Sequence, residues 1–182
     1  DGIIAIGKAS TSMFKGAHEY YCEQSSGQPA YIATIVTKYH HCEDEIRNIP
    51  NVTIFESSHP IPDQASLDAG KAVFQIVSEM EDNSNLLVLV SGGASALIEM
   101  LHDDMILEDL KNFTDGLMRT GADIETMNRQ RIMRSRVKGG KLLEAFPGKT
   151  INAIGISDVP EGNFGILGSG IGSGKRINPE KT

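Results

Sequence analysis

The sequence contains no tryptophan, only two cysteines and an aromatic share of 5% in 182 residues. Cys22 and Cys42 belong to no Cys-x-x-Cys pair, so a disulfide framework or a structural zinc site is not expected, and both are predicted to be reduced thiols. Basic charge is scarce too, and the formal net charge is -7. This charge argues against binding nucleic acid or an anionic membrane, since both attract a basic face. Any phosphate must therefore be held by local groups.

Long apolar runs are also missing. The longest, residues 3–6 and 86–90, are far too short to cross a bilayer, and no basic region with an apolar signal core begins the chain. We therefore expect a cytoplasmic protein with no membrane partner. The hydrophobic share of 40% is ordinary and predicts one domain with a substantial core.

Short apolar runs alternate with stretches of helical periodicity. This alternation predicts the α/β class, as a three-layer, Rossmann-like domain with a mostly parallel central sheet. The predicted strands are 3–6, 31–36, 52–55, 86–90 and 151–156. The predicted helices are 63–80, with Asp63 as N-cap, 107–119 and 125–145. Residues 1–164 are assigned to this domain, and 165–182 to a Gly-rich tail or linker toward a further domain. The abrupt start of the chain in a strand suggests that a segment precedes it.

Two predicted loops at the carboxyl ends of strands combine glycine with polar groups. Ligands of parallel sheets gather at these ends, so both loops are candidates for binding a phosphate or carboxylate. In the second loop, paired glycines let an anion approach the backbone. Neither loop matches the P-loop or dinucleotide fingerprints, and a plain strand-to-helix turn is the alternative. The candidate residues are Gly7 and Lys8 in the first loop and Ser91, Gly92, Gly93 and Ser95 in the second.

A third cluster follows helical spacing: Asn128, Arg131, Ser135 and Lys138 are three or four residues apart, which predicts one shared helix face. Amide, guanidinium, hydroxyl and ammonium groups together can bind an anionic substrate or spread charge over a transferring phosphoryl group. The alternative is a solvated basic face, because this stretch carries other arginines as well.

Two further candidates follow predicted strands. His59 lies in a loop stiffened by two prolines and could contact substrate, although the loop could equally be a rigid turn before the Asp63 cap. Asp158 is a candidate ligand for Mg²⁺, a hard cation that prefers carboxylate oxygens. A turn-forming aspartate before Pro160 is the alternative.

Several of these stretches together resemble the glycerate 2-kinase family, whose members pair an N-terminal α/β domain with a smaller C-terminal domain called MOFRL. Some members have been labelled hydroxypyruvate reductases. The resemblance runs almost end to end. It rests on IAIGKA (4–9), HPIPD (59–63) with Ala65-Ser66, VSGGASAL (90–97), GADI (121–124), SDV (157–159), and Asn128, Arg131, Ser135 and Lys138-Gly139-Gly140.

The resemblance implies transfer of the γ-phosphoryl group of ATP, with Mg²⁺, to the 2-hydroxyl of D-glycerate, in a cleft between the two domains. It implies catalytic roles for Lys8, Arg131 and Lys138, phosphate binding by residues 91–95, and a metal contact for Asp158. The sequence departs from the family at Met133, where a histidine is usual, and at Ser169-Gly170-Ile171, where Ser-Gly-Pro is usual. These departures weaken the metal assignment and remove one polar group.

Because the second domain and its arginine are expected to be missing, we expect little kinase activity from this chain alone. The alternatives are a non-catalytic anion-binding or regulatory domain and a sugar-phosphate isomerase or lactonase-type domain. The sequence leaves open whether the protein is a homodimer.

Overall fold

Five short runs rich in β-branched residues form a parallel sheet. The computed structural model describes residues 1–25, 30–102, 104–121, 123–157 and 167–174. The strands are β1 (Gly2–Ile6), β2 (Ile32–Lys38), β3 (Val52–Ser57), β4 (Asn85–Ser91) and β5 (Thr150–Ile156). Their order is β3-β2-β1-β4-β5, with every neighbouring pair parallel. The predicted strands and fold class are confirmed. The strand order reverses between β1 and β4, so ligands are expected where these two strands end.

Helices cover both faces of the sheet. They are α1 (Ser10–Gln24), α2 (Asp44–Arg47), α3 (Gln64–Ser78), α4 (Ala94–Leu97), α5 (Leu107–Arg119), α6 (Ile124–Arg134) and α7 (Lys141–Glu144). Successive strand residues point to opposite faces. Ile4 and Ile6 therefore join the core beneath α3, α4 and α7, while Ile3 and Ala5 join the core beneath α1 and α2. None of the helices described is long and apolar enough to span a membrane.

The predicted N-cap of α3 is confirmed. The Asp63 carboxylate accepts a hydrogen bond from the Ser66 N–H at 3.0 Å, and the Ser66 hydroxyl accepts one from the Asp63 N–H at 3.1 Å. This reciprocal capping box satisfies two donors at the helix start. The Tyr39 hydroxyl donates to the other Asp63 oxygen at 2.7 Å. The cap therefore anchors the loop that carries His59.

The predicted helix 125–145 is confirmed only in its first half, because α6 ends at Arg134, and its continuation to Ala145 is wrong. Ser135 is extended and forms an isolated antiparallel bridge with Leu101. Gly139 and Gly140 then adopt φ values of +65° and +87°, a left-handed conformation that breaks a helix. Ser135 and Lys138 consequently do not share a helix face with Asn128 and Arg131.

Part of the predicted tail packs on the domain. Leu167 and Ile171 are buried in the core beneath α3 and α4. The N–H groups of Gly139 and Gly140 donate to the carbonyls of Ser169 and Gly170 at 2.9 and 2.8 Å. Residues 167–174 therefore belong to the domain, while the assignment of residues 175–182 to a tail lies outside the described residues.

Candidate functional site

The loops after β1 and β4 meet at the point where the strand order reverses. The Lys8 N–H donates to the Gly92 carbonyl at 2.9 Å, and the Ala9 N–H donates to the Ser91 hydroxyl at 3.0 Å. Gly7 has φ +132°, and a Cβ there would lie 2.2 Å from the Ser91 hydroxyl oxygen. Only glycine allows this approach, so the two loops predicted as anion sites form one continuous surface.

Side chains from two strand ends converge on Gly93, at the end of a third strand. This residue has φ +88°, and a Cβ on it would lie 2.9 Å from His59 Cδ2 and 3.1 Å from Lys8 Cγ. His59 follows β3, Lys8 follows β1, and Gly93 follows β4. The structure therefore brings together three of the residues that the sequence picked out separately. Lys8 is exposed and His59 is half-buried, so solvent reaches this cluster.

A cavity of about 600 Å³ lies beside this cluster. Its walls come from the loop after β3, from α4 and from the facing sides of α5 and α6. Most of the wall is apolar, with a few polar groups, which is typical of a small-molecule site. The residues that line it include Pro60, Ile61, Ser95, Glu99, Leu110, Lys111, Met127 and Arg131. Ser95 and Arg131, both predicted from sequence, thus face the same space.

Asn128 reaches the site through a pair of hydroxyls. The Ser95 and Ser169 hydroxyl oxygens are 2.9 Å apart, and Ser169 donates to the Asn128 Oδ1 at 3.2 Å. The predicted residues Ser95 and Asn128 are thereby joined through Ser169. Sequence reasoning placed Ser169 in a tail and missed it as a site residue.

Lys138, for which the resemblance implies a catalytic role, is not among the residues that line the cavity. Its side chain is fully buried and forms an ion pair with buried Glu99, and its Nζ also donates to the Ile98 carbonyl at 3.3 Å. Burial lowers the pKa of Lys138 from its ordinary value, the Glu99 carboxylate opposes that change, and the nearby Arg131 cation adds to it. Its partner Glu99 lines the cavity and was not predicted, while a catalytic role of Lys138 stays a prediction.

Ser135 is also buried, and its hydroxyl accepts hydrogen bonds from the N–H groups of Val137 and Lys138, both at 3.2 Å. That hydroxyl shapes the turn after α6 in the structure. Asp158, the predicted metal ligand, lies outside the described residues. Within the described ranges, no group of three or more His, Cys, Asp or Glu side chains could hold a metal ion.

Comparisons with known proteins agree over nearly the whole chain. A family model described as "Domain of unknown function (DUF4147)" matches residues 2–180. The D-glycerate 2-kinase of Thermotoga maritima is 34% identical over 169 residues, which cover 92% of this chain and 38% of that protein. The glycerate 2-kinase of Pyrococcus horikoshii is 36% identical over 168 residues, covering 92% and 36% respectively. A crystal structure of glycerate kinase from Thermotoga maritima matches with a TM-score of 0.83 at 33% identity, over 94% of this chain and 40% of that one. The chain therefore spans less than half the length of these relatives.

Proposed function

We propose that this chain, which belongs to the DUF4147 family, supplies the nucleotide- and substrate-facing domain of a glycerate 2-kinase. The resemblance predicted from the sequence motifs is confirmed by the family match and by the kinase relatives. In the proposed reaction the γ-phosphoryl group of ATP passes to the 2-hydroxyl of D-glycerate. The observation that carries the proposal is the convergence of Lys8, His59 and Gly93 at the switch point of the sheet.

The residues at this point fit a phosphate group. Because Gly93 lacks a side chain, Lys8 and His59 pack directly against the backbone of the loop. A phosphate oxygen arriving here would meet a lysine on an exposed surface beside a glycine-rich backbone. ATP would supply the phosphoryl group, and the Lys8 ammonium would offset the negative charge of its oxygens during transfer. Local cations of this kind are needed because the chain has a net charge of -7.

The adjoining cavity fits a small hydroxy acid. Arg131 contributes a planar guanidinium to the wall, a group that binds carboxylates with two parallel hydrogen bonds. Ser95, two residues after Gly93 in the glycine loop, lines the same cavity and contributes a hydroxyl. A D-glycerate carboxylate bound by Arg131 would place its hydroxyl groups in the cavity that Ser95 also lines. The arrangement would hold acceptor and donor close together, which is the main requirement of phosphoryl transfer.

Mg²⁺ normally accompanies ATP in such reactions, and we keep Asp158 as the predicted ligand on sequence grounds alone. The metal would neutralise phosphate charge.

The test is a coupled assay on the chain, alone and mixed with the C-terminal part of the Thermotoga maritima relative. Enolase acts directly on 2-phosphoglycerate. Product formation that is detected with enolase as the first coupling enzyme therefore identifies the 2-phosphorylated product. We expect Lys8→Ala to lower the rate at least about 100-fold, by loss of a charge clamp. Lys71→Ala, which alters an exposed lysine on α3, serves as the matched control. A fully active Lys8→Ala variant would remove the catalytic assignment, and ligand uptake without turnover would favour a non-catalytic anion-binding domain.

A further inference from the structure

Ser169 is held in a backbone conformation that favours glycine. Its φ is +57°, between Gly168 at +58° and Gly170 at +77°. The other non-glycine residues of positive φ in the described part of the chain are His40 and Asn51, which are exposed and belong to types that tolerate this region. Ser169 is only 4% exposed. A strained conformation of this kind persists where the surroundings fix it, and such residues cluster at functional sites.

The hydroxyl of Ser169 has a defined direction. It donates its single proton to the Asn128 Oδ1, so the contact with Ser95 must be donated by the Ser95 hydroxyl. The carbonyl end of the Asn128 amide is therefore turned toward Ser169. The NH₂ end, with two donors, is on the other branch of the amide and does not bond to Ser169.

We infer that Ser169 is a positioning residue that fixes the Asn128 amide so that its NH₂ group is presented to an anionic oxygen of the ligand. Asn128 and Arg131 are one turn apart on α6 and share a helix face. Together they present N–H donors, and the ligand they suit carries a carboxylate or phosphoryl group. The inference rests on the proposed function for the identity of that ligand, D-glycerate or ATP, but not for the orientation of the amide.

The variant that tests it is Ser169→Gly. Glycine adopts φ near +57° without strain, so the fold is kept while the hydroxyl is removed. Ser173→Gly is the matched control, because the Ser173 hydroxyl lies in the same segment but bonds to the Gly170 carbonyl at 2.8 Å, away from Asn128. Thermal unfolding of both variants verifies that the fold is retained.

The first measurement is independent of any ligand. The Asn128 side-chain amide is assigned in a ¹H–¹⁵N spectrum by its loss in Asn128→Asp, and its order parameter is measured. We expect a rigid amide in the unmodified chain and in Ser173→Gly, and a mobile one in Ser169→Gly. An equally rigid Asn128 amide in Ser169→Gly would overturn the inference.

The second measurement is calorimetric titration with D-glycerate and, separately, with ATP. We expect Ser169→Gly to raise the Kd about tenfold for the ligand that Asn128 contacts, the equivalent of one hydrogen bond to a charged group. The Kd of Ser173→Gly should match that of the unmodified chain. Unchanged affinity for both ligands in Ser169→Gly would also contradict the inference. If the unmodified chain binds neither ligand, the proposed function fails, and the amide measurement still decides the role of Ser169.

Discussion

Replacing Lys138 by methionine should destabilise the domain far more than an ordinary surface substitution. The ammonium of Lys138 is buried with the Glu99 carboxylate and also bonds to the Ile98 carbonyl. Methionine fills much of the same volume, so the loss is chiefly electrostatic. The change leaves Glu99 charged, nearly solvent-free and without its cation, and removal of one partner of a buried pair costs about 3–5 kcal/mol. For a chain of this length that corresponds to a fall in Tm of roughly 6–20 °C.

Urea unfolding followed by circular dichroism at 222 nm measures this loss of stability, because the chain has no tryptophan whose fluorescence could be followed. The double variant Glu99→Leu with Lys138→Met removes both charges, and it should recover most of the stability, because apolar residues replace buried ion pairs at little cost. The two single variants complete a double-mutant cycle. A Lys138→Met variant within about 1 kcal/mol of the unmodified chain would refute the argument, since that value is typical of exposed pairs.

Three further predictions concern stability. Hydrogen bonds from Tyr39 and from the Ser66 N–H outweigh burial, which acts in the opposite direction, and hold the pKa of Asp63 below its usual value. The stability that ionised Asp63 contributes to the fold is therefore complete above about pH 4–5 and is lost as pH falls through the depressed folded pKa. Asp63→Ala should lower the free energy of unfolding by about 1–2 kcal/mol at pH 7, and urea unfolding should show that its stability then depends less on pH in the acid range. Gly70→Ala should cost about 3 kcal/mol or more by thermal unfolding, because its Cβ would lie 1.9 Å from the Glu99 carbonyl oxygen. Gly116→Ala on α5, where a Cβ meets nothing within 4 Å, should instead stabilise the domain by about 0.5–1 kcal/mol. Equal changes in stability for Gly70→Ala and Gly116→Ala would contradict the packing of α3 on residue 99.

The strands could be predicted because a parallel sheet covered on both faces requires nearly continuous apolar runs, and residues 86–90 are such a run. The Asp63 cap was predictable for a similar reason, since its partner Ser66 is close in sequence. Local chemistry determines both features. The convergence of Lys8, His59 and Gly93 could be predicted in part. Parallel pairing places the ends of their strands at one edge of the sheet, but which of them are neighbours depends on the strand order.

The helix error after Arg134 has a different physical origin. Spacing at three and four residues continues to Lys138, but Gly139-Gly140 and the extended Ser135 end the helix early. The double glycine is the one signal in the sequence that indicates an earlier end of the helix. Glu99 and Ser169 could not have been found this way, since their partners lie 39 and 41 residues distant in the chain.

The Glu99–Lys138 pair also explains how a cavity wall that contains a buried carboxylate can accept an anion. Glu99 and Arg131 both line the cavity, and without Lys138 the uncompensated Glu99 carboxylate would repel an incoming anion. Lys138 instead takes the Glu99 charge, while Arg131 is close enough to lower the pKa of Lys138. Because Lys138 balances the charge of Glu99, that carboxylate offsets less of the attraction between Arg131 and an incoming anion. We therefore expect Lys138→Met to weaken D-glycerate binding even at temperatures where the variant is folded, and the charge-free double variant to restore it, because the repelling carboxylate is then absent.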